Sequence, residues 1–184
     1  RRHRVESVAV CLLHAYANPV HERRIERYLK KHLPRVAVSL SCDVAAEIRE
    51  YERMSTTSAN AYVMPLMERY LNELSSRLER AKIRAPLRVM TSSGGFTSSK
   101  TAARQPILLL ESGPAGGVLS AVNTARQAGT QDLLALDMGG TTAKACVAVG
   151  GEADVAHSFE VARVKRFTKG SGLPMLIPSI DLIE

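Results

Sequence analysis

Residues 133–149, Leu-Leu-Ala-Leu-Asp-Met-Gly-Gly-Thr-Thr-Ala-Lys-Ala-Cys-Val-Ala-Val, decide how this chain is read. Leu133 to Asp137 predicts one strand, Gly139-Gly140 a turn, and Thr142 to Val149 a second strand. Along the second, Ala143, Ala145, Val147 and Val149 fall on one face and Thr142, Lys144, Cys146 and Ala148 on the other. Gly150-Gly151 turns the chain again, and Val155 to Val164 alternates as a third strand. The expectation is an antiparallel meander.

Upstream the pattern changes. Residues 7–16, SVAVCLLHAY, form a continuous apolar run suited to a strand buried on both faces. Asn18-Pro19 then supplies a helix start, and Ile25, Leu29 and Leu33 recur at a spacing of four until Pro34. Val36 to Leu40 reads as a second strand, with Asp43 capping a short helix from Ala46 to Tyr51. Strand, helix, strand, helix is the α/β order. After the polar boundary Ser55-Thr56-Thr57-Ser58, Val63, Met67, Tyr70, Leu71, Leu74, Leu78 and Ala81 trace a long helix, with Pro65 expected in its first turn or at a kink. Leu87 to Met90 and Pro106 to Leu110 each read as a strand. A helix from Ala115 to Gln127 ends at Gly129. Gly113, Gly117, Ala121 and Ala125 make a small-residue ridge along it, expected to let another helix cross closely and so to offer a hinge, with an anion site at the helix N-terminus as the alternative.

The chemistry concentrates in the turn. Asp137 ends an apolar strand, Gly139 and Gly140 add no side-chain bulk, and Thr141 and Thr142 follow at once. Glycines let main-chain amides approach phosphate oxygens, and hydroxyls add donors. A carboxylate repels phosphate, so the role that suits Asp137 is to hold a hydrated Mg²⁺ between phosphates. A plain hairpin turn is the alternative. GxxxxGK[ST] and a helix-opening GxGxxG are both absent. Ser92, Ser93, Gly94 and Gly95 follow a predicted strand, where open α/β sheets place ligands, and are candidate substrate contacts; an ordinary turn is the rival reading. His14, His21 and Glu22 offer metal-ligand chemistry, but a strand end and a helix start account for them.

Composition narrows the classes. The chain has 184 residues, a net charge of +7, 45% hydrophobic residues and 4% aromatic residues. Its basic residues are spread over helices and its aromatic residues are too few for stacking platforms, which argues against nucleic acid. No apolar run reaches the roughly 18–20 residues of a membrane helix. Cys11, Cys42 and Cys146, an odd set without a CxxC pair, suggest reduced thiols and a cytoplasmic setting.

The motifs LLHAYANPVHE, EYERMSTTSANAYVMPLMERYL, VMTSSGG, ESGPAGGVLSA and DMGGTTAKACVAVGG together resemble the hydantoinase A/5-oxoprolinase family, within the actin, Hsp70 and sugar-kinase (ASKHA) superfold. The resemblance implies a partial ASKHA α/β fold: an α/β portion of a first lobe (1–57), a region of long helix, strands and interdomain helix (58–129), and the start of a second lobe with its phosphate hairpin (130–184). The chain reads as a fragment that lacks the first phosphate loop and is inactive alone. The implied function is ATP-dependent hydrolysis of a cyclic amide through carbonyl phosphorylation. An acetone-carboxylase-type subunit and a non-catalytic nucleotide switch are the alternatives. ATP and Mg²⁺ are the implied cofactors. Asp137 would be the catalytic carboxylate, binding Mg²⁺ through water, and Gly139, Gly140, Thr141, Thr142 and Lys144 would face phosphate. Lys144 stands where the oxoprolinase-like pattern often has Asp, and an ion pair is the structural alternative for it. A hydantoinase B-type partner, or a fused second half, is the expected companion.

Overall fold

A computed structural model describes residues 4–165, 168 and 170–183. The chain divides into two compact units, each assembled from separate stretches. The first takes the chain up to Leu87 together with Ser98–Ile107 and Phe159–Leu176; the second takes Arg88–Thr97, Leu108–Ser158 and the chain from Ile177 on.

In the first unit, β1 (Ser7–Val10) and β2 (Ala37–Leu40) pair in parallel, joined by helix α1 (Val20–His32). This is the expected α/β crossover, but β1 stops well short of residue 16. The amide of Leu12 turns away from the ladder to the Glu22 carboxylate, and a turn through His14, at φ +56°, follows. In place of a helix over 46–51 there is a single turn, α2 (Ser41–Val44), and then α3 (Glu50–Arg80), which runs straight through Ser55–Ser58. Those hydroxyls do not mark a boundary: Thr56 and Thr57 are fully buried and donate to the carbonyls of Glu52 and Arg53 one turn back. Pro65 lies mid-helix. A buried face of Arg53, Thr56, Thr57, Asn60, Ala61, Met64 and Leu71 holds α3 together despite the missing amide, packing contributing more than propensity.

Asn60 ties three segments to α3. Its Nδ2 donates to Ser39 Oγ (3.0 Å) and the Arg104 carbonyl (3.1 Å), and its Oδ1 accepts the Ile107 amide (3.2 Å). This explains why the apolar run from Pro106 forms a 3-10 turn (Pro106–Leu109) and not the expected strand. Pro106 has no amide to give, and that of Ile107 is spent on a side chain. The short helix α4 (Ser99–Arg104) precedes it, capped by the Ser98 hydroxyl accepting the Thr101 amide.

In the second unit, β5 (Leu133–Met138), β6 (Ala143–Val149) and β7 (Glu152–Ala153) form the expected antiparallel meander. The third strand expected over 155–164 is broken. β8 (Val155–Ala156) pairs with β11 (Ser179–Ile180) in this unit, whereas β9 (Phe159–Val161) pairs with β10 (Leu173–Met175) in the first. β3 (Arg88–Met90) and β4 (Phe96–Ser98) bracket the 92–95 turn.

Helix α5 (Ser112–Gln127) packs on one face of the meander through Ala115, Val118 and Val122, against Ala135, Cys146, Ala148 and Ile180. Of the glycine-alanine ridge, Ala121 packs against this core, whereas Gly113 meets nothing within 4 Å and Gly117 is exposed. The opposite face of the meander is bare among the described residues: Leu134, Leu136, Met138, Val147 and Val149 are all more than half exposed.

Candidate functional site: the glycine-hydroxyl hairpin

The hairpin ends in an open turn. Met138 pairs with Ala143, and the Gly139 amide donates to the Thr142 carbonyl at 2.9 Å, which leaves Gly140 and Thr141 at the tip. Asp137, Gly139, Gly140, Thr141 and Thr142 are all exposed. Neither glycine adopts a left-handed φ. A Cβ at Gly140 would meet nothing within 4 Å, and one at Gly139 only the Thr142 carbonyl at 3.9 Å. Neither backbone conformation nor packing inside the described chain therefore demands glycine here. What two bare positions do provide is access to the main chain from outside.

Asp137 stands directly opposite Lys144 in the register, on the sheet face that meets α5. Lys144 is partly buried and its Nζ forms an ion pair with Glu111 Oε2. Glu111 immediately precedes α5 and holds φ +64°. The Asp137 carboxylate lies close to the first turns of the same helix, its Oδ2 3.9 Å from where a Cβ on Gly117 would stand.

The 92–95 turn sits in the same unit but divides by role. Ser92 is buried. Its amide donates to the Leu108 carbonyl (2.8 Å), its hydroxyl bonds the carbonyls of Leu108 and Leu110, and its carbonyl accepts the Ile180 amide (2.9 Å). Its amide, hydroxyl proton and carbonyl are all engaged in stapling three segments. Gly94, at φ +84°, is required by the backbone, and a Cβ there would lie 2.8 Å from Leu119 Cδ1. Ser93 and Gly95 are exposed.

A second polar assembly lies in the first unit and includes Glu22, whose metal-ligand chemistry was weighed above. Glu22 and Arg53 are both fully buried. Glu22 accepts from the Leu12 amide (2.8 Å), Ser41 Oγ (2.7 Å) and the Cys42 amide (3.0 Å). Burial raises its carboxyl pKa, but these hydrogen bonds outweigh burial and hold it below the ordinary range. Arg53 donates to the Leu12 carbonyl and to Ser41 Oγ, and its guanidinium lies over the Tyr16 ring at 5.4 Å. Burial and the neighbouring Glu22 push the Cys42 thiol up to about 12, which removes it as a nucleophile. Glu22 is thus a structural anion. Among the described residues no group of three or more His, Cys, Asp or Glu converges as a metal centre.

On an α/β framework the chain presents an exposed glycine-hydroxyl turn, with an acidic residue closing the preceding strand. Residues 53–184 match the hydantoinase/oxoprolinase family, and the chain belongs to it. It is 30% identical to the caprolactamase subunit alpha of Pseudomonas jessenii, over 96% of this chain and 25% of that one. The crystal structure of the ATP-dependent caprolactamase from the same organism superposes with a TM-score of 0.81 at 28% identity, covering 100% of this chain and 25% of that one. The 5-oxoprolinase of Saccharomyces cerevisiae is 31% identical over 97% of this chain and 13% of its own length. The nucleotide-free structure of acetone carboxylase, an enzyme of ATP-dependent acetone carboxylation, superposes with a TM-score of 0.77 at 25% identity, over 97% of this chain and 24% of that one. The chain thus spans about a quarter or less of the length of these relatives, and its α/β architecture is a part of their larger fold.

Proposed function

We infer that this chain is the part of an ATP-dependent, cytoplasmic amidohydrolase subunit that carries one phosphate hairpin, and that the whole polypeptide opens a cyclic amide such as a hydantoin or an oxoproline-like lactam. The observation that carries this reading is the exposed 139–142 turn, whose two glycines nothing inside the described chain requires. Caprolactamase and 5-oxoprolinase, by their names, act on cyclic amides, which supports the substrate class.

The chemistry suits the residues. An unstrained amide carbonyl is a poor electrophile. When its oxygen attacks the γ-phosphorus of ATP, the bond to ADP breaks and the oxygen becomes a good leaving group. Water then adds to the carbon and the ring C–N bond opens to an acyl phosphate, which a second water hydrolyses to the acid and phosphate. The products are the ring-opened acid, ADP and phosphate. The protein's part in such a transfer is mainly positioning and charge neutralisation. The amides of Gly140 and Thr141 and the hydroxyls of Thr141 and Thr142 would hold phosphate oxygens. Mg²⁺ would supply charge neutralisation between the phosphates, with exposed Asp137 as its water-mediated anchor. In the 92–95 turn, Ser93 and Gly95 would be the substrate-facing members, with Ser92 and Gly94 fixing their shape. A hydantoinase B-type partner or a fused half would complete the enzyme; the caprolactamase relative is itself a named subunit.

The close superposition on acetone carboxylase favours one second reading, in which the activated substrate is a ketone enol or bicarbonate. ADP release by the whole polypeptide with its partner tests the two. Release driven by hydantoin, 5-oxoproline or a lactam supports the amide reading. Release driven only by a ketone with bicarbonate supports the carboxylase. ATP-dependent partner binding without turnover contradicts both.

A further inference from the structure

The side of the hairpin that faces α5 carries two charged groups, Asp137 and Lys144, beside Glu111 at the start of the helix. Asp137 and Lys144 are directly opposed across the two strands, a placement in which opposite charges attract. The Lys144 ammonium is paired with Glu111, a residue 33 positions upstream. Glu111 is poorly suited to its position by local criteria. It holds φ +64°, a left-handed conformation that costs a non-glycine residue about 1–3 kcal/mol and persists where surroundings over-determine it. Its side chain makes no cap to α5. Its carboxylate is spent on Lys144. The three groups converge on the first turns of one helix, since the Asp137 carboxylate lies beside Gly117.

We propose that Glu111 is a positioning residue of the phosphate hairpin: it competes with Asp137 for the Lys144 ammonium, so that Asp137 keeps enough negative charge to hold hydrated Mg²⁺. The proposal rests on the hairpin being a phosphate loop. With the Glu111 charge removed, Lys144 turns wholly toward its cross-strand carboxylate. A carboxylate neutralised by an ammonium is a weaker anchor for a divalent cation. The strain at Glu111 then has a function, because it aims the carboxylate across at the sheet and not down its own helix.

The test is calorimetric titration of ATP into the whole polypeptide at graded Mg²⁺, comparing the parent with Glu111→Gln and with Glu111→Gln combined with Lys144→Met. We expect Glu111→Gln to raise the Mg²⁺ concentration for half-maximal ATP binding by at least about threefold, the scale of a partly exposed charge pair. With Lys144 paired to Glu111 and the phosphate contacts assigned to the Gly140 and Thr141 amides and the two hydroxyls, the double variant loses only the ammonium that would neutralise Asp137 and should return the Mg²⁺ requirement to within about twofold of the parent. A residue that only shaped the start of α5 would give no such rescue. An unchanged Mg²⁺ requirement in Glu111→Gln, or a double variant as impaired as the single one, overturns the proposal. Asp137→Asn separates the two levels. If it raises the Mg²⁺ requirement while Glu111→Gln does not, only the role of Glu111 fails. If Asp137→Asn has no effect, the phosphate-loop reading fails and this proposal fails with it.

Discussion

At the scale of single residues, the chain uses carboxylates in opposite ways. Asp137 is exposed at a strand end, where a carboxylate stays hydrated and available. Replacing it with Asn keeps the shape and removes the charge. ATP affinity of the whole polypeptide in saturating Mg²⁺ should fall at least about tenfold, or 1.4 kcal/mol, by calorimetry. Glu22 is buried among three donors, and its folded pKa lies below the ordinary value. With an unfolded value of about 4.3, the stability it confers is complete above that pH and is lost as pH falls through the lower folded value. Glu22→Gln should therefore cost about 1–3 kcal/mol near neutrality. It should also flatten the acid limb of a stability-against-pH curve measured by denaturant unfolding. An unchanged acid limb would remove Glu22 from the acid sensitivity of the fold.

At the scale of elements, local pattern and long-range contact compete. The β5–β6 hairpin was legible almost to the residue because its register, turn and alternation are all local. The run from Pro106 read as a strand since four apolar residues follow a proline. It became a 3-10 turn because Asn60, 47 positions away, takes the Ile107 amide. The start of α3 was read six or more residues late because hydroxyls that ordinarily cap a helix lie inside this one, returned to its own carbonyls. In the candidate site, the turn residues were legible from composition. The Glu111–Lys144 pair was not, since a left-handed glutamate has no sequence signature. Two substitutions probe these long-range ties. Asn60→Leu leaves the Ile107 amide and the Arg104 carbonyl without that partner and should destabilise the chain by about 2–4 kcal/mol in chemical denaturation. Gly94→Ala meets both a left-handed φ and Leu119, and should lower stability by more than about 1 kcal/mol. A neutral result at Gly94 would mean that the turn relaxes freely.

At the scale of the whole molecule, the second unit covers one face of its sheet with α5 and leaves the other uncovered among the described residues. Hydrophobic burial stabilises only where water is removed. Leu136→Thr, on the bare face, should change the stability of this 184-residue chain by less than about 0.5 kcal/mol, whereas Val122→Ala, on the covered side, should cost about 1–2 kcal/mol. The contrast is read from paired thermal melts. The central claim, that the 139–142 turn holds nucleotide phosphates, is tested most directly by hydrogen exchange of the whole polypeptide with Mg·ATP and, separately, with adenosine. Mg·ATP should slow exchange across Gly139–Thr142, while adenosine should leave it unchanged. Saturating Mg·ATP that binds without protecting those amides would contradict it.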